Sequence, residues 1–304
     1  MDVLVTGASG FIGTALVASL RVSGHRPVIA YRTRVPRGAD GIAWDPDAAS
    51  IDAASLEGID AVVHLAGAGI GDRRWTAARK RVIRDSRTRG TRLVARTLAA
   101  LERRPGVMVS ASAVGIYGNR GDEWLTEVSA PGDDFHAGVC GDWEASTRMA
   151  EDAGIRVVHA RTGVVLGSGG GILGRLALPV RLGLGGRLGA GTQHMSWIAL
   201  ADQVRALEHA LVTPALAGPV NLTAPEPVTN AEFTRTLARV LHRPALIPTP
   251  LTALRARYGR ELVEGLLLAS QRAVPEALSA TGFVFEHPTL EPALRSALGA
   301  TPED

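Results

Sequence analysis

The sequence is short of three residue types that often carry chemistry. Among 304 residues, Cys140 is the only cysteine, Lys80 is the only lysine, and the tyrosines are Tyr31, Tyr117 and Tyr258. A single cysteine excludes an intramolecular disulfide. A reaction that needs a tyrosine and a lysine close together therefore has few positions in this chain that could supply them.

Long apolar runs are also missing. No stretch approaches the roughly 20 apolar residues of a membrane span, and the N-terminal segment MDVLVTGASG lacks the basic and apolar pattern of a secretory signal. The 33 basic and 30 acidic residues give a formal charge of +3, which is too balanced to indicate a nucleic-acid partner. We therefore expect a cytoplasmic globular protein that binds neither a membrane nor nucleic acid.

What the chain does contain is a regular alternation of apolar strands and helical stretches. β-branched runs predict strands at 3–6, 26–31, 41–44, 60–69, 106–112, 156–162, near 195–198 and at 218–223, with helices that include 75–101 and 134–153. This order predicts an α/β protein with a Rossmann-type doubly wound parallel sheet. From Thr229 onward the apolar spacing is helical and broken by prolines, which predicts a smaller, mostly helical C-terminal domain.

Glycines at a spacing of three follow the first strand in TGASGFIG. A turn of this kind between a strand and a helix can hold the pyrophosphate of a dinucleotide on the helix N-terminus, or it can serve tight packing alone. We favour dinucleotide binding. The predicted contacts are Gly7, Ser9, Gly10, Phe11, Ile12 and Gly13.

The second predicted strand ends in YRTRVPR, where an NAD site would usually carry an acidic residue. Arg32 follows the strand without a neighbouring carboxylate in the sequence, and a guanidinium suits a 2′-phosphate. This pattern predicts a preference for NADP(H) over NAD(H), with Arg34 and Arg37 as weaker helpers or as solvated loop charges. After the fourth strand, Leu65, Ala66 and Gly67 are predicted beside the cofactor, and His64 is either a cofactor contact or a satisfied strand-end histidine.

These residues resemble an extended short-chain dehydrogenase/reductase, and more narrowly the atypical YfcH-like "epimerase family" proteins, which carry a C-terminal domain of unknown function. The resemblance rests on TGASGFIG, HLAG, SASAVGIYGNRG, RRWTAARK, IRDSR, VCGDWE, RTGVVLG, GGILG, RLGLGG, MSWIALAD, NLTAPEPVTNAEF, QRAVPEAL and GFVFEHP, which together span nearly the whole chain. It implies an NADP(H)-binding oxidoreductase or epimerase-like enzyme.

Reductases of the wider superfamily place a Ser or Thr on the fifth strand and a Tyr-x-x-x-Lys pair on the next helix. The chain keeps Ser110 and Ser112, but the helix that should carry the pair contains HAGVCGDWE, with neither tyrosine nor lysine. The standard pair is therefore excluded. Tyr117, in GIYG, could donate a proton to a substrate instead, or it could be packed against the nicotinamide or the sheet end. Ser110, Ser112 and Tyr117 are the predicted catalytic residues.

HAGVCGDWE gathers residues that suggest a thiol nucleophile, but a small buried cysteine is the commoner outcome. Cys140 and Trp143 could face the cofactor as a wall beneath the nicotinamide, or they could pack in the core. Glu144 could bind a ribose or substrate hydroxyl, or lie on the surface. The resemblance implies cofactor contacts for Cys140 and for Arg161, in RTGVVLG.

The remaining motifs imply a substrate cleft. The strongly basic helix has a solvated face or guides nucleic acid, and we favour the solvated face. Arg74 and Arg87, which lie inside the motifs of the resemblance, are candidates to bind an anionic substrate in the cleft or the cofactor phosphates. The glycine-rich stretch 163–192 is expected to be irregular apart from ILGRLALPVRLG, with GSGGGILG as a substrate-covering flap. Gln193, Ser196 and Trp197 are expected at the domain junction. The chain departs from its relatives at Ala199, where they commonly have histidine, and at Ser270, where they commonly have glycine.

The histidines are scattered without metal-ligand spacing, so we predict no metal. We predict an NADP-binding Rossmann domain of residues 1–165 plus about 193–223, and a substrate-cleft and C-terminal domain of about 166–192 plus 224–304. Two functions stay open: an oxidoreductase or epimerase acting on an unknown small molecule, and a non-catalytic NADP(H)-binding redox sensor or partner-binding protein. By analogy with the fold, we expect a homodimer through the two long helices flanking the fifth strand.

Overall fold

The structure is a computed structural model that describes residues 1–183, 185–245 and 247–299. Its strands are β1 (Asp2–Thr6), β2 (Arg26–Arg32), β3 (Ile42–Asp45), β4 (Ser50–Ile51), β5 (Ala61–His64), β6 (Val107–Ala113), β7 (Trp124–Leu125), β8 (Arg156–Thr162), β9 (Val164–Leu166), β10 (His194–Met195), β11 (Trp197–Ala199), β12 (Gly218–Leu222), β13 (Val228–Thr229) and β14 (Arg272–Ala273). Its helices are α1 (Phe11–Val22), α2 (Ala77–Ala100), α3 (Phe135–Ala145), α4 (Arg148–Asp152), α5 (Leu173–Arg181), α6 (Leu200–Val212), α7 (Asn230–Val240), α8 (Leu251–Tyr258), α9 (Arg260–Leu262), α10 (Glu276–Ala280) and α11 (Leu290–Leu298).

Eight strands form one sheet in the order β12-β8-β6-β5-β1-β2-β3-β4. All neighbours in it are parallel except β3 and β4. Parallel neighbours need crossover connections, and α1, α2, α3 and α6 supply them on the two faces. The predicted Rossmann-type fold with a helical C-terminal region is therefore confirmed.

The alternation of side chains along the strands sorts the core into two layers. Val3 and Val63 point toward α1 and α6, whereas Leu4, Val62 and Met108 point toward α2 and α4. Strands covered on both faces have no solvent-facing side, which explains why they read as nearly continuous apolar runs.

Toward the carboxyl ends of the strands, the face that carries α2 and α3 changes from apolar to polar. Thr6, His64, Ser110 and His159 pair in one row across β1, β5, β6 and β8. Ser112, Arg161 and Asn221 form the next row. These side chains are all buried, so a polar layer lies inside the protein directly below the edge where ligands of such sheets bind.

Three local predictions need correction. The helix expected over 134–153 is interrupted after Ala145 and resumes at Arg148, where the hydroxyl of Thr147 bonds to the Glu144 carbonyl at 2.7 Å instead of leaving the turn regular. The strand expected over 60–69 ends at His64. The stretch 163–192 is less irregular than expected, because Val164–Leu166 pairs in parallel with Trp197–Ala199.

The C-terminal helices pack at two places, on β11 and beside α2 and α3. The helices α7 and α11 bury Phe233 and Leu294 against Trp197, and Leu262 joins Trp75 and Val139 at the start of α2 and α3. The proposed division into two domains stays a prediction, and its last residues, 300–304, lie outside the described part of the chain. No helix among the described residues is long and apolar enough to cross a membrane.

Candidate functional site

The glycine turn after β1 is closed too tightly for side chains. Gly7 has φ +70°, the amide of Gly10 donates to the Gly7 carbonyl at 2.9 Å, and a Cβ on Gly13 would lie 2.2 Å from that carbonyl oxygen. A Cβ on Gly7 would come within 2.9 Å of the Leu65 backbone. The glycines are thus required for packing, which is the alternative considered for them, and they also leave the backbone open to a ligand.

The helix that follows the turn begins without a side-chain cap and has no acidic residue in its first turn. The first amides of a helix have no partner inside the helix, and their dipole attracts a negative group. Ser9 and Gly10 are exposed, while Phe11 and Ile12 are half-buried. An exposed, uncapped helix N-terminus behind a glycine turn fits a dinucleotide pyrophosphate.

The glycine-rich segment 167–171 packs on the side chain of Phe11. A Cβ at Gly167, Gly170 or Gly171 would come within 2.6–3.1 Å of the ring or of neighbouring atoms. On the other side, Arg175 bonds to the Gly71 carbonyl at 2.7 Å. The segment therefore covers the region between α1 and the loop after β5, and its opening as a flap stays a prediction.

Arg32 lies at the end of β2, but it has a partner that the sequence did not reveal. Its guanidinium contacts the Asp47 carboxylate at 2.6 Å, with 65% and 70% of the two side chains exposed. Asp47 follows β3, which pairs with β2. Ion pairs this exposed are weak, so a 2′-phosphate could displace Asp47 from Arg32.

The end of β5 is held to β1 through a hydroxyl. Thr6 Oγ1 lies 2.8 Å from His64 Nδ1 and accepts the Ala66 amide at 3.3 Å. Burial lowers the pKa of His64 to about 4, and its Nε2 has no partner among the described residues. His64 is therefore a buried strand-end histidine, whereas Gly67 is exposed at the cleft and Leu65 and Ala66 are half-buried.

Glu144 and Arg161 form a buried ion pair at the centre of the polar layer. Arg161 Nε and Nη2 each donate to a Glu144 carboxylate oxygen at 2.9 Å, and only 8% and 13% of the two side chains are exposed. Burial opposes the charge on Arg161, but the hydrogen bonds that Arg161 donates to the Glu144 carboxylate raise the pKa of its guanidinium. Glu144 is therefore not a surface carboxylate, and its contact with a ribose or substrate hydroxyl stays a prediction.

Two of the three predicted catalytic hydroxyls, those of Ser112 and Tyr117, belong to the same network. Ser112 Oγ donates to Glu144 at 2.6 Å. The Tyr117 hydroxyl donates to Asn221 Oδ1 at 2.7 Å and accepts from Arg161 Nη1 at 3.1 Å. Tyr117 is completely buried, and burial raises the pKa of its phenol. The Ser110 hydroxyl is also buried, and it has no hydrogen-bond partner among the described residues.

These contacts bear on the expected chemistry. The Tyr117 phenol has a raised pKa, and its hydroxyl already donates one hydrogen bond and accepts another within the protein. It is therefore poorly placed to exchange a proton with a substrate. The geometry favours the packed alternative for Tyr117, and a catalytic role for Ser110, Ser112 or Tyr117 stays a prediction. Arg161 has protein acceptors for Nε, Nη1 and Nη2, which favours a structural role over the cofactor contact implied by the resemblance.

Cys140 lies one turn before Glu144 on α3, inside an apolar cluster. Its neighbours there include Ile116, Tyr117 and Leu125, and 1% of the residue is exposed. Burial raises the pKa of Cys140 to about 12, which keeps the thiol protonated at neutral pH. The core-packing interpretation of Cys140 is thus favoured, and its place in a wall beneath a nicotinamide stays a prediction.

We expect the Cys140 thiol to resist alkylation by iodoacetamide in the native protein at neutral pH. The thiolate is the reactive form, and a pKa of about 12 lowers its fraction by a factor on the order of 1,000 relative to a free cysteine. Mass spectrometry of samples labelled with and without urea would measure this. Native labelling as fast as labelling in urea would contradict the burial of this thiol.

Two predicted cleft arginines have different surroundings. Arg74 is exposed and lies against Gly259, where a Cβ would approach its Nε to 2.8 Å. Arg87 is buried beside Gly67, with its guanidinium 4.8 Å from the centre of the Trp143 ring. Trp143 donates to Thr91 at 3.0 Å. Only Arg87 is therefore brought to the strand ends.

The residues expected at the domain junction lie there, with their polar atoms used by the protein. Gln193 Nε2 is 3.4 Å from the carbonyl oxygens of Leu188 and Leu267. Ser196 Oγ donates to the Gln271 carbonyl at 2.9 Å, and Trp197 Nε1 donates to the Glu226 carbonyl at 2.9 Å. A substrate contact for Gln193, Ser196 or Trp197 stays a prediction.

Sequence reasoning assigned no separate role to three residues that the structure brings to this region: His136, Asn221 and Glu127. His136 lies four residues before Cys140 on α3 and packs on Gly115, where a Cβ would come within 2.1 Å of the ring. Burial and then the charge of Arg87 lower the pKa of His136 to about 4. The four-residue spacing of His136, Cys140 and Glu144 was the available signal.

No group of described residues could hold a metal ion.

Comparison with known proteins places this geometry in a family. A model of the NAD dependent epimerase/dehydratase family matches residues 3–222. The chain belongs to this family. A second family model, a domain of unknown function named DUF1731, matches residues 249–297. The resemblance inferred from the motifs is confirmed, including its C-terminal domain of unknown function.

Members of the epimerase/dehydratase family resemble the chain over nearly its full length. The "Epimerase family protein Mb2239" of Mycobacterium bovis is 46% identical over 96% of each chain. A crystal structure of the human epimerase family protein SDR39U1 with NADPH has a TM-score of 0.90 and 37% identity, covering 98% of this chain and 99% of that one. A Thermus thermophilus UDP-glucose 4-epimerase complex with NAD, at 21% identity and a TM-score of 0.75 over 99% of this chain and 100% of that one, shows the same fold.

Proposed function

We propose that the protein binds NADP(H) in preference to NAD(H) and is an oxidoreductase or epimerase-like enzyme that acts on an unidentified small molecule. The observation that carries this proposal is the glycine turn at the uncapped start of α1, which is exposed at Ser9 and Gly10, with Arg32 on the neighbouring strand. The human relative of known structure binds NADPH, which supports the choice of cofactor.

The cofactor would supply a carbon that gives or takes a hydride. The amides that open α1 would bind its pyrophosphate, and Arg32 would bind the 2′-phosphate. The pair formed by Glu144 and Arg161 would fix Ser112 and Tyr117 in position below the strand ends. The helix α3 contains neither a tyrosine nor a lysine, so proton transfer must use another group than the standard pair.

The experiment that tests the proposal combines binding and turnover. The protein is titrated with NADPH and NADH by calorimetry, and it is then incubated with NADPH and a panel of carbonyl compounds and sugar nucleotides while the absorbance of the reduced nicotinamide is followed. Binding of NADPH with turnover of one compound supports the proposal. Failure to bind either dinucleotide would overturn it.

The second candidate function is a non-catalytic NADP(H)-binding sensor or partner-binding protein. The observation that favours it is the burial of Ser110, Ser112 and Tyr117, whose hydroxyls point into the protein. Tight NADPH binding without turnover across the panel would select this alternative. The homodimer, the cytoplasmic location and the absence of nucleic-acid and membrane partners stay predictions.

Replacing Arg32 by alanine is expected to weaken NADPH binding about 10- to 100-fold, because charge-assisted hydrogen bonds to a phosphate are lost. NADH, which lacks the 2′-phosphate, should bind the variant as it binds the wild type. Calorimetric titration of both dinucleotides measures the difference. The matched control is Arg21→Ala, an exposed arginine in the last turn of α1. An unchanged NADPH affinity for Arg32→Ala would remove Arg32 from the site.

A further inference from the structure

Arg87 is a buried cation without a carboxylate partner in the described chain. It is 9% exposed, and its Nη1 donates to the carbonyls of Ala68 at 2.9 Å and Ile83 at 3.1 Å. Burial lowers the pKa of its guanidinium. Arg161, which is similarly buried, has Glu144 as a bidentate partner. Burying a guanidinium without a counter-charge is costly, so the uncompensated charge of Arg87 calls for another explanation.

The position of Arg87 supplies one. Its guanidinium lies below Gly67, where a Cβ would be 3.5 Å from Cζ, and Gly67 is exposed at the carboxyl end of β5. On its other side, the guanidinium stacks on the Trp143 ring of α3. A ligand that rests on Gly67 would therefore touch the free edge of this cation.

The strand order tells which part of a dinucleotide would lie there. The adenosine end belongs near β2, where Arg32 stands, and the pyrophosphate lies over the glycine turn after β1. The sheet continues from β1 to β5 and β6. The nicotinamide half of the cofactor must consequently extend over the ends of β5 and β6, next to Gly67 and Arg87.

The helix α3 supplies no cation to this region. The residues that it turns toward the ends of β6 and β8 are His136, Cys140 and Glu144, and the carboxylate of Glu144 is neutralised by Arg161. The pKa of His136 is lowered by burial and then by the charge of Arg87. The pKa of Arg87 is lowered by burial, and the positive charge of Arg79, which is also on α2, acts in the same direction. The local charge is therefore positive and comes from α2.

We propose that Arg87 binds the oxygen atoms of the nicotinamide-side ribose and phosphate, and so supplies from α2 the cation that α3 lacks. This inference rests on the proposed cofactor binding. Arg87 is then the residue that positions the nicotinamide half over the ends of β5 and β6, and its counter-charge comes from the ligand.

The test uses two probes with the full chain: NADPH, and adenosine 2′,5′-bisphosphate, which carries the adenosine half alone. Arg87→Met keeps an unbranched stem over Trp143 and removes the charge. We expect it to weaken NADPH binding about 10- to 100-fold, and to leave the affinity for the bisphosphate within about twofold because no contact to that half is lost. Arg87→Lys, which keeps the charge without the planar fork, should recover part of the NADPH affinity.

The control is Arg89→Met, which removes an exposed arginine of the same helix that pairs with Asp85. Thermal unfolding without ligand separates a ligand contact from a structural role. Removal of an unpaired buried charge should offset the loss of the hydrogen bonds to Ala68 and Ile83, so the midpoint should stay close to that of the wild type. An unchanged NADPH affinity, or equal losses for both probes, would overturn the proposal for Arg87. If Arg87→Met does not fold, equal losses for both probes with Arg87→Lys overturn it in the same way. A wild type that binds neither probe would instead refute the proposed cofactor site.

Discussion

Replacing Glu144 by glutamine is expected to lower the free energy of unfolding by about 3–5 kcal/mol. The glutamine would keep the shape of the side chain but leave the Arg161 guanidinium, which is 8% exposed, without its counter-charge. The same change would alter the acceptor of the Ser112 hydroxyl. Urea unfolding followed by circular dichroism measures the loss.

The matched control for Glu144→Gln is Asp152→Asn, which breaks an exposed ion pair with Arg148 on α4. Exposed helical pairs contribute roughly 0.5 kcal/mol or less, so this variant should remain close to the wild type. Adding Arg161→Met to Glu144→Gln should recover part of the stability, because the uncompensated charge is removed. Equal stability of Glu144→Gln and the control would refute the buried ion pair.

The sheet and its glycine turn were predictable because their signals are local. A β-branched run, three glycines at a spacing of three and an apolar helical face occur within the first 24 residues, and each reports the backbone conformation of its own segment. The parallel order followed because crossovers constrain how consecutive units can pack. The break in the helix after Ala145 was not predictable from apolar spacing, since it depends on a hydroxyl that bonds to its own backbone.

The interior of the candidate site was not predictable from spacing. Its polar network joins Ser112, Tyr117, Glu144, Arg161 and Asn221. These residues come from three strands, the helix α3 and a 3₁₀ turn, which only the tertiary fold brings together. A hydroxyl in a motif looks the same in the sequence whether it faces a cleft or a buried carboxylate. For the same reason the motif residue Arg32 appeared unpartnered, although Asp47 lies beside it on the neighbouring strand connection.

Acidification from pH 6.5 to 4 is expected to remove about 3 kcal/mol of stability through His64 alone. Burial lowers the pKa of His64 to about 4 from its ordinary value of 6.5. Above pH 6.5 the imidazole is neutral in both the folded and the unfolded chain. As the pH falls below 6.5, the unfolded chain binds a proton that the folded chain cannot accept, and the loss is complete once the pH passes the folded value. His136, whose pKa is also about 4, should add a similar loss.

The measurement is the free energy of unfolding in urea at several pH values across this range. His64→Asn removes the titrating group while its amide can still bond to Thr6, so its stability should fall about 3 kcal/mol less on acidification than that of the wild type. The control is His242→Asn, because His242 is exposed and has φ +52°, a conformation that asparagine tolerates. This control should follow the wild type. If His64→Asn lost as much stability as the wild type, the proton uptake would belong to other groups and His64 would not be held neutral in the folded protein.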